Sequence, residues 1–387
     1  MPGIRKMNRQ DWERAHDSRI ARIDSRIARI DRIPPRGELS FISRNARCAG
    51  QSNLLSLTLL LFFTIHPLMA AEPSQWIGQQ FSAEDTLQTG EESDPDAREC
   101  LQGLSWKPVS FQVAVEAPLA ADRGEATIRF PSPLSPRDDE SANVVMEWYA
   151  ARHAEALLAT APAVVVVHES GRNMTVGRMI AQGFSQRGIH AFLVQLPGYG
   201  ARRWQQKQVD AVRLKSIPQG VGDVRRARDA VAALPGVERN RISLQGTSLG
   251  GFIASTAAGL DHGYANVFLL LSGGDVFTVL QNGDRDAAKW RQNAKDAGLD
   301  EEALRELVWQ IEPNRLAHRV NPERTWLYSG VFDTIVPIAN ARSFATAAKL
   351  SESHHVLMPV DHFAGILLLP AVLDQMAAVM QQAPPAN

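Results

Sequence analysis

Cysteine is scarce: only Cys48 and Cys100 occur in 387 residues. Cys48 falls in an N-terminal leader, so the body keeps Cys100 alone and has neither an intramolecular disulfide nor a thiolate metal site. The count neither supports nor opposes an oxidising compartment. Net charge is also lacking, since 41 Lys and Arg against 42 Asp and Glu sum to −1. That balance combines two unlike parts. Residues 1–53 hold 12 basic and 6 acidic groups, residues 54–70 hold none, and residues 71–387 keep 29 basic against 36 acidic groups, a net of −7. A body of that sign has no bulk electrostatic reason to bind nucleic acid, whose affinity comes mainly from neutralised phosphates. With 44% hydrophobic and 21% charged residues, 22 Pro and 27 Gly, the composition excludes disordered, collagen-like and disulfide-dense classes. One large or two medium globular domains are left.

Residues 54–65 (LLSLTLLLFFTI) form an apolar stretch with arginines upstream and small residues at 68–71. This pattern predicts a signal-peptide hydrophobic region cleaved near Ala70 or Ala71, and hence an exported body. The alternative is an uncleaved membrane anchor, although twelve apolar residues are short for a span of about 20. Upstream, residues 18–24 and 25–31 are a perfect SRIARID duplication. Two heptads are too few for a coiled coil, so residues 1–53 read as a basic, disordered, nonfunctional leader or as the product of a start assigned too far upstream.

Residues 72–105 read as a polar linker. Short runs at 110–116, 125–130 and 144–149 then predict antiparallel strands. From Ala163 the pattern becomes strand and helix in alternation. A four-valine run at 164–167 suits a strand buried on both faces, and Val176, Met179, Ile180 and Phe184 follow at helical spacing. Further strands are expected at 191–196, 242–245, 267–271, 326–329 and 356–358, with helices between them. Such alternation implies a mostly parallel central sheet with helices on both faces. Residues 281–320 depart from it, being long, polar and helical, with Asp300 as an N-cap and Leu304, Leu307 and Val308 as an apolar face. Their position between two strands predicts a helical cap over a site.

The chemistry concentrates in residues 242–251 (ISLQGTSLGG). A Gly-x-Ser-x-Gly between a strand and a helix forces a sharp reversal at Gly246 and Gly250 that lifts Ser248 above the sheet edge. The N–H groups of the helix starting at Leu249 then point at any oxyanion formed there. Serine needs a base and a group to orient it, and this architecture places them in the order Ser, acid, His. Asp333 lies in GVFDTIVP after one strand, and His362 lies in VDHF after the last. Both loops are expected at the sheet edge that carries Ser248.

The run from Ala163 to Met380 resembles the α/β-hydrolase superfamily, most of all its esterase, dienelactone-hydrolase-like and prolyl-oligopeptidase-like branches. GTSLGG at 246–251 matches the nucleophile elbow, GVFDTIVP at 330–337 the acid loop, DHF at 361–363 the histidine loop, and PGYG at 197–200 the loop after the fourth strand. The resemblance implies an α/β-hydrolase fold over 106–383, with antiparallel N-terminal strands and the cap at 281–320. It implies Ser248 as nucleophile, His362 as general base and then acid, and Asp333 as the residue fixing the imidazole tautomer. One departure stands out: the family usually has His-Gly-x after the third strand, and here the residues are His168, Glu169 and Ser170. By position Ser170 and Leu249 donate the oxyanion N–H groups, while Glu169 orients Arg172 or touches substrate and Tyr199 contributes to substrate binding.

Competing assignments are weighed alongside. Asp275 is an alternative acid. His168 reads as a structural histidine, His354 and His355 as solvated or core residues, and Asp361 as a solvent-facing or loop-fixing carboxylate. Arg225, Arg226 and Arg228 are expected on a solvated helix face. Trp290 and Trp309 are expected to pack the cap, one of them a candidate to line the acyl or leaving-group pocket. The expected function is that of a carboxylesterase-like serine hydrolase acting on a small ester or acyl substrate, with no metal and no organic cofactor, no nucleic-acid partner, and a membrane only if residues 54–71 are retained. The alternatives are an S9-like serine peptidase and a catalytically silent binding module.

Overall fold

The computed structural model describes residues 72–135, 142–154, 156–204, 216–296 and 298–382. The leader at 1–53 and the apolar segment at 54–71 lie outside the described residues. Ten strands make one sheet: β1 (Gln80–Ala83), β2 (Phe111–Glu116), β3 (Ala126–Pro131), β4 (Asn143–Tyr149), β7 (Ala161–Val167), β8 (His190–Gln195), β9 (Val237–Thr247), β10 (Val267–Leu270), β11 (Thr325–Gly330) and β12 (His355–Met358). A separate hairpin pairs β5 (Arg152–His153) with β6 (Ala156–Leu157). The spatial order is β1-β2-β3-β4-β8-β7-β9-β10-β11-β12. β1 to β4 run antiparallel down to the β4/β8 pair, and every pairing from β8 to β12 is parallel. All seven residues of β7 and all six of β8 are buried, as expected of strands covered on both faces.

Helices fill the crossovers: α1 (Pro95–Leu104), α2 (Thr175–Ser185), α3 (Ile217–Ala232), α4 (Leu249–Ala258), α5 (Val276–Asn282), α6 (Asp286–Asp296), α7 (Glu301–Trp309), α8 (Ile338–Ala347) and α9 (Leu369–Gln381). α2 packs with α9, while α1 and α4 both pack with α3. β7 pairs with β8 on one side and with β9 on the other. The chain therefore reverses its direction of winding at β7, and right-handed crossovers then place helices on opposite faces. A crevice at the carboxyl ends of strands opens at such a reversal, and the candidate site lies there. Three helices, α5 to α7, sit between β10 and β11 with short 3-10 turns behind them, so the helical insertion begins at Val276, ahead of the expected cap. Asp300 caps α7 by accepting the Ala303 N–H at 2.8 Å.

Two expectations are corrected. Residues 72–105 are not a linker, because they carry β1 and α1 and bury Ala83, Leu87, Ala97, Cys100, Leu101 and Leu104 in the core. The arginines of α3 do not form a solvated face, because this same N-terminal stretch covers them. Arg226 pairs with Asp85 at 2.7 Å, with both side chains at most 5% exposed, and the Asp85 carboxylate also accepts the Trp106 indole N–H at 2.6 Å. Arg225 pairs with Asp229 at 2.9 Å and Asp261 at 2.7 Å, and Arg228 with Asp229 at 3.0 Å. Asp229 further accepts the backbone N–H and the hydroxyl of Thr86. Charges removed from water hold only when each is paired and hydrogen-bonded, so α3 and residues 85–106 are mutually required.

Two histidines are buried at the ends of central strands, His168 directly after β7 and His190 at the start of β8. The His168 Nε2 accepts the Leu196 N–H at 3.2 Å while its Nδ1–H donates to the Glu169 carbonyl at 2.6 Å, the structural role expected for it. The His190 Nδ1 accepts N–H groups from Trp148 and Ala151. Burial disfavours the charged form and lowers both from 6.5 to about 4.

Asp85→Ala strands the Arg226 charge and the Trp106 N–H, and a loss of about 3–5 kcal/mol in urea unfolding is expected. Arg305→Ala, which breaks exposed ion pairs and a contact over the Phe277 ring, should cost only about 1 kcal/mol. The second expectation concerns pH. Between 6.5 and about 4 the unfolded chain protonates these two histidines and the folded chain does not, so their contribution to stability falls as pH is lowered through that window. Urea midpoints measured from pH 8 to pH 4 should fall less steeply for His190→Gln than for the unaltered chain; parallel curves would remove His190 from this role.

Candidate active site

β9 ends at Thr247, and the chain turns directly into α4. Ser248 sits at the turn with φ 52° and ψ −116°, a left-handed conformation that costs a non-glycine residue about 1–3 kcal/mol and persists only where its surroundings enforce it. They do so through two glycines. A Cβ on Gly246 would strike the Gly250 carbonyl and the Ala254 side chain, and one on Gly250 would strike the carbonyl oxygens of Val167 and His168. The elbow is thereby pressed against the end of β7, where Val167 lies opposite Gly246 in the sheet.

The loops after β11 and β12 bring the other two residues. The Asp333 carboxylate, its side chain 1% exposed, accepts the His362 Nδ1–H through Oδ2 at 2.7 Å. Its Oδ1 accepts the backbone N–H groups of Ile335 at 2.8 Å and Val336 at 2.9 Å. With the proton on Nδ1, the imidazole Nε2 is an acceptor, and it receives the Ser248 hydroxyl at 3.0 Å. Ser248, His362 and Asp333 thus form one hydrogen-bonded chain. Asp361 fixes the loop by accepting the N–H groups of Phe363 and Ala364, and the Ala364 bond holds its carboxyl below the usual carboxylate value. Asp275, the alternative acid, instead caps α5 by accepting the Thr278 N–H. His355 bonds the Ser329 hydroxyl and His354 packs against Trp326.

Ser170, Ser248 and Leu249 all line one cavity. Among the described residues neither backbone N–H has a carbonyl acceptor, so both are free to meet a ligand oxygen. The other two expected contacts are corrected. Glu169 spends its carboxylate on the Val176 N–H at 3.1 Å and the Gly177 N–H at 3.0 Å. Met174, at the start of α2, has no side-chain oxygen to cap that helix, so Glu169 supplies the acceptors the first turn lacks. Tyr199 is 5% exposed, its ring lies against His168 at 4.6 Å, and its hydroxyl donates to the Ser170 carbonyl. It shapes the Ser170 loop, and neither residue lines the cavity.

That cavity measures about 80 Å³. Its walls are largely apolar: Val276, Val279 and Leu280 from α5, Trp290 from α6, Phe252 and Ile253 from α4, and Ile335 and Val336 beside the acid. Trp290 is therefore the tryptophan that reaches the site, whereas Trp309 is 48% exposed beneath the Arg315 guanidinium. One polar group had no sequence signal: Asp286, an ordinary first-turn acid on α6, also lines the cavity. Among the described residues no cluster of His, Cys, Asp and Glu is arranged to hold a metal ion.

No protein-family model and no curated protein matches the chain. Solved structures do. An acetyl xylan esterase from a Thermoanaerobacterium species superposes with a TM-score of 0.51 at 14% identity, covering 78% of this chain and 97% of its own. One from a Paenibacillus species gives 0.50 at 15% identity, covering 79% and 98%. A puromycin-hydrolyzing peptidase from Mycobacterium tuberculosis gives 0.49 at 17% identity over 72% of this chain, which spans only 46% of that protein. Strand order, crossovers and the two esterase superpositions agree with the expected mostly parallel sheet, antiparallel entry and helical insertion, and the chain has the α/β-hydrolase fold.

Proposed function

We propose that the chain is a serine hydrolase that cleaves a carboxylic ester with a short acyl group. The observation that carries this reading is the unbroken hydrogen-bond chain from Ser248 through His362 to Asp333 at the mouth of an apolar cavity. Ser248 Oγ attacks the ester carbonyl while His362 Nε2 takes its proton. The negative oxygen formed is met by the Leu249 and Ser170 N–H groups, a stabilisation worth about 10²–10³-fold in rate per donor. His362 returns the proton to the leaving alcohol, and water repeats the cycle on the acyl-enzyme. Asp333 keeps the imidazole in the tautomer that accepts from serine, and it stabilises the imidazolium that forms.

Cavity size supports a short acyl group. An apolar cavity of about 150 Å³ holds a benzene molecule, and this one is roughly half that volume. Two of the structural neighbours are acetyl xylan esterases, which fits the same range.

Ser248→Ala should abolish labelling by a fluorophosphonate probe and lower p-nitrophenyl acetate turnover by about 10⁴–10⁶-fold, with circular dichroism unchanged. Persistent labelling would remove Ser248 from the role. In a series from acetate to octanoate, kcat/KM is expected to peak at two to four carbons, whereas faster cleavage of aminoacyl arylamides than of any ester would favour a peptidase. Asp333→Asn keeps an acceptor for the Ile335 and Val336 N–H groups but disturbs the imidazole tautomer. It should lower kcat by about 10⁴-fold while leaving KM within a few fold, and stopped-flow rates on the purified variant check this.

A further inference from the structure

We propose that Asp286 is a specificity-determining residue that selects a cationic acyl group, so that the preferred substrates are esters of small α-amino acids. This rests on the serine-hydrolase reading above and names the substrate class for that site. Asp286 lies in the first turn of α6, where an acid is ordinary helix chemistry. Its carboxylate, however, accepts the Ser170 hydroxyl at 3.4 Å and forms part of the cavity wall together with Ser248 and Leu249. A negative charge therefore stands within one side chain of the N–H assigned to the developing oxyanion. With a neutral acyl group that charge opposes the reaction; with an ammonium group beside it, the opposition is cancelled and replaced by attraction.

Two further observations fit such a ligand. Among the described residues no ion pair joins Asp286 to a Lys, Arg or His, and the neighbouring Arg285 guanidinium lies instead over the Phe363 ring at 4.9 Å. One helical turn on, Trp290 faces the same cavity. Positions i and i+4 share a helix face, so α6 offers a carboxylate and an indole side by side, a pair that recognises an alkylammonium through charge and through the ring face. Apart from Ser170 and Ser248 the remaining lining residues are apolar, which leaves Asp286 as the one charged residue of the lining to distinguish glycyl or alanyl from acetyl or propionyl.

The test compares glycine benzyl ester with benzyl propionate, whose acyl groups are nearly isosteric, at about pH 6.5, below the ~7.7–8.0 of an α-amino group. The unaltered protein should favour the glycyl ester in kcat/KM by about tenfold, and Asp286→Asn should cut that ratio by about fivefold or more. Asp286→Glu should retain a preference for the glycyl ester. Because the readout is a ratio within one preparation, partial misfolding of a variant does not affect it. An unaltered protein with no glycyl preference, or a ratio unchanged in Asp286→Asn, overturns the assignment and leaves the role of Ser248 intact. If neither ester shows Ser248-dependent turnover, both readings are overturned.

Discussion

The close approach of α4 to the end of β7 is the constraint on which the site depends. At Gly250 the backbone comes so near the Val167 and His168 carbonyls that no side chain fits, and this contact forces Ser248 into its left-handed conformation. It also sets residues 168–170 beside the start of α4, so that the hydroxyl and the two free N–H groups share one small volume. The sheet order contributes the rest, because β7 and β9 are neighbours that lead to helices on opposite faces. The strain at Ser248 is local and small against the core that enforces it, which includes nine buried residues of α4.

A second constraint works at a distance from the chemistry. α3 carries arginines that need acids, and residues 85–106 carry an aspartate and a tryptophan N–H that need partners. Arg226 and Asp85 are 141 residues apart in sequence, and the two segments meet in a buried network at the edge of the hydrophobic core. In the same way Glu169 serves a helix that begins several residues later, with the result that the departure from the family's usual glycine has a structural purpose: the carboxylate replaces the missing cap of α2.

Much of the fold was legible because its signals are local. Buried parallel strands are continuous apolar runs, as at 164–167, and the residues Ser248, Asp333 and His362 each stand in a short motif at a strand end, in a fixed chain order. The features not legible depend on partners remote in sequence. Whether Arg225 and Arg226 face water is decided by what packs on α3, and no property of α3 itself reveals it. Whether Glu169 meets substrate depends on the unusual start of α2 at Met174. α1 was readable in principle: Asp94 accepts two N–H groups ahead of Pro95, and Ala97, Cys100, Leu101 and Leu104 recur at helical spacing. Its polar surroundings mask that signal. Asp286, an exposed residue at the cavity rim, leaves no trace in sequence, because a first-turn acid looks the same whether or not a cavity lies beside it.

Ile335 and Val336 each do two things. Their backbone N–H groups hold the Asp333 carboxylate, and their side chains line the cavity. The cavity wall and the clamp that holds the Asp333 carboxylate are therefore one piece of chain. A change of side chain there made to widen the cavity would also shift the peptide units that steady Asp333, so under the proposed function selectivity and turnover are tied together in this segment. The cavity can be reshaped more freely from α5 and α6, whose residues line it without holding Asp333.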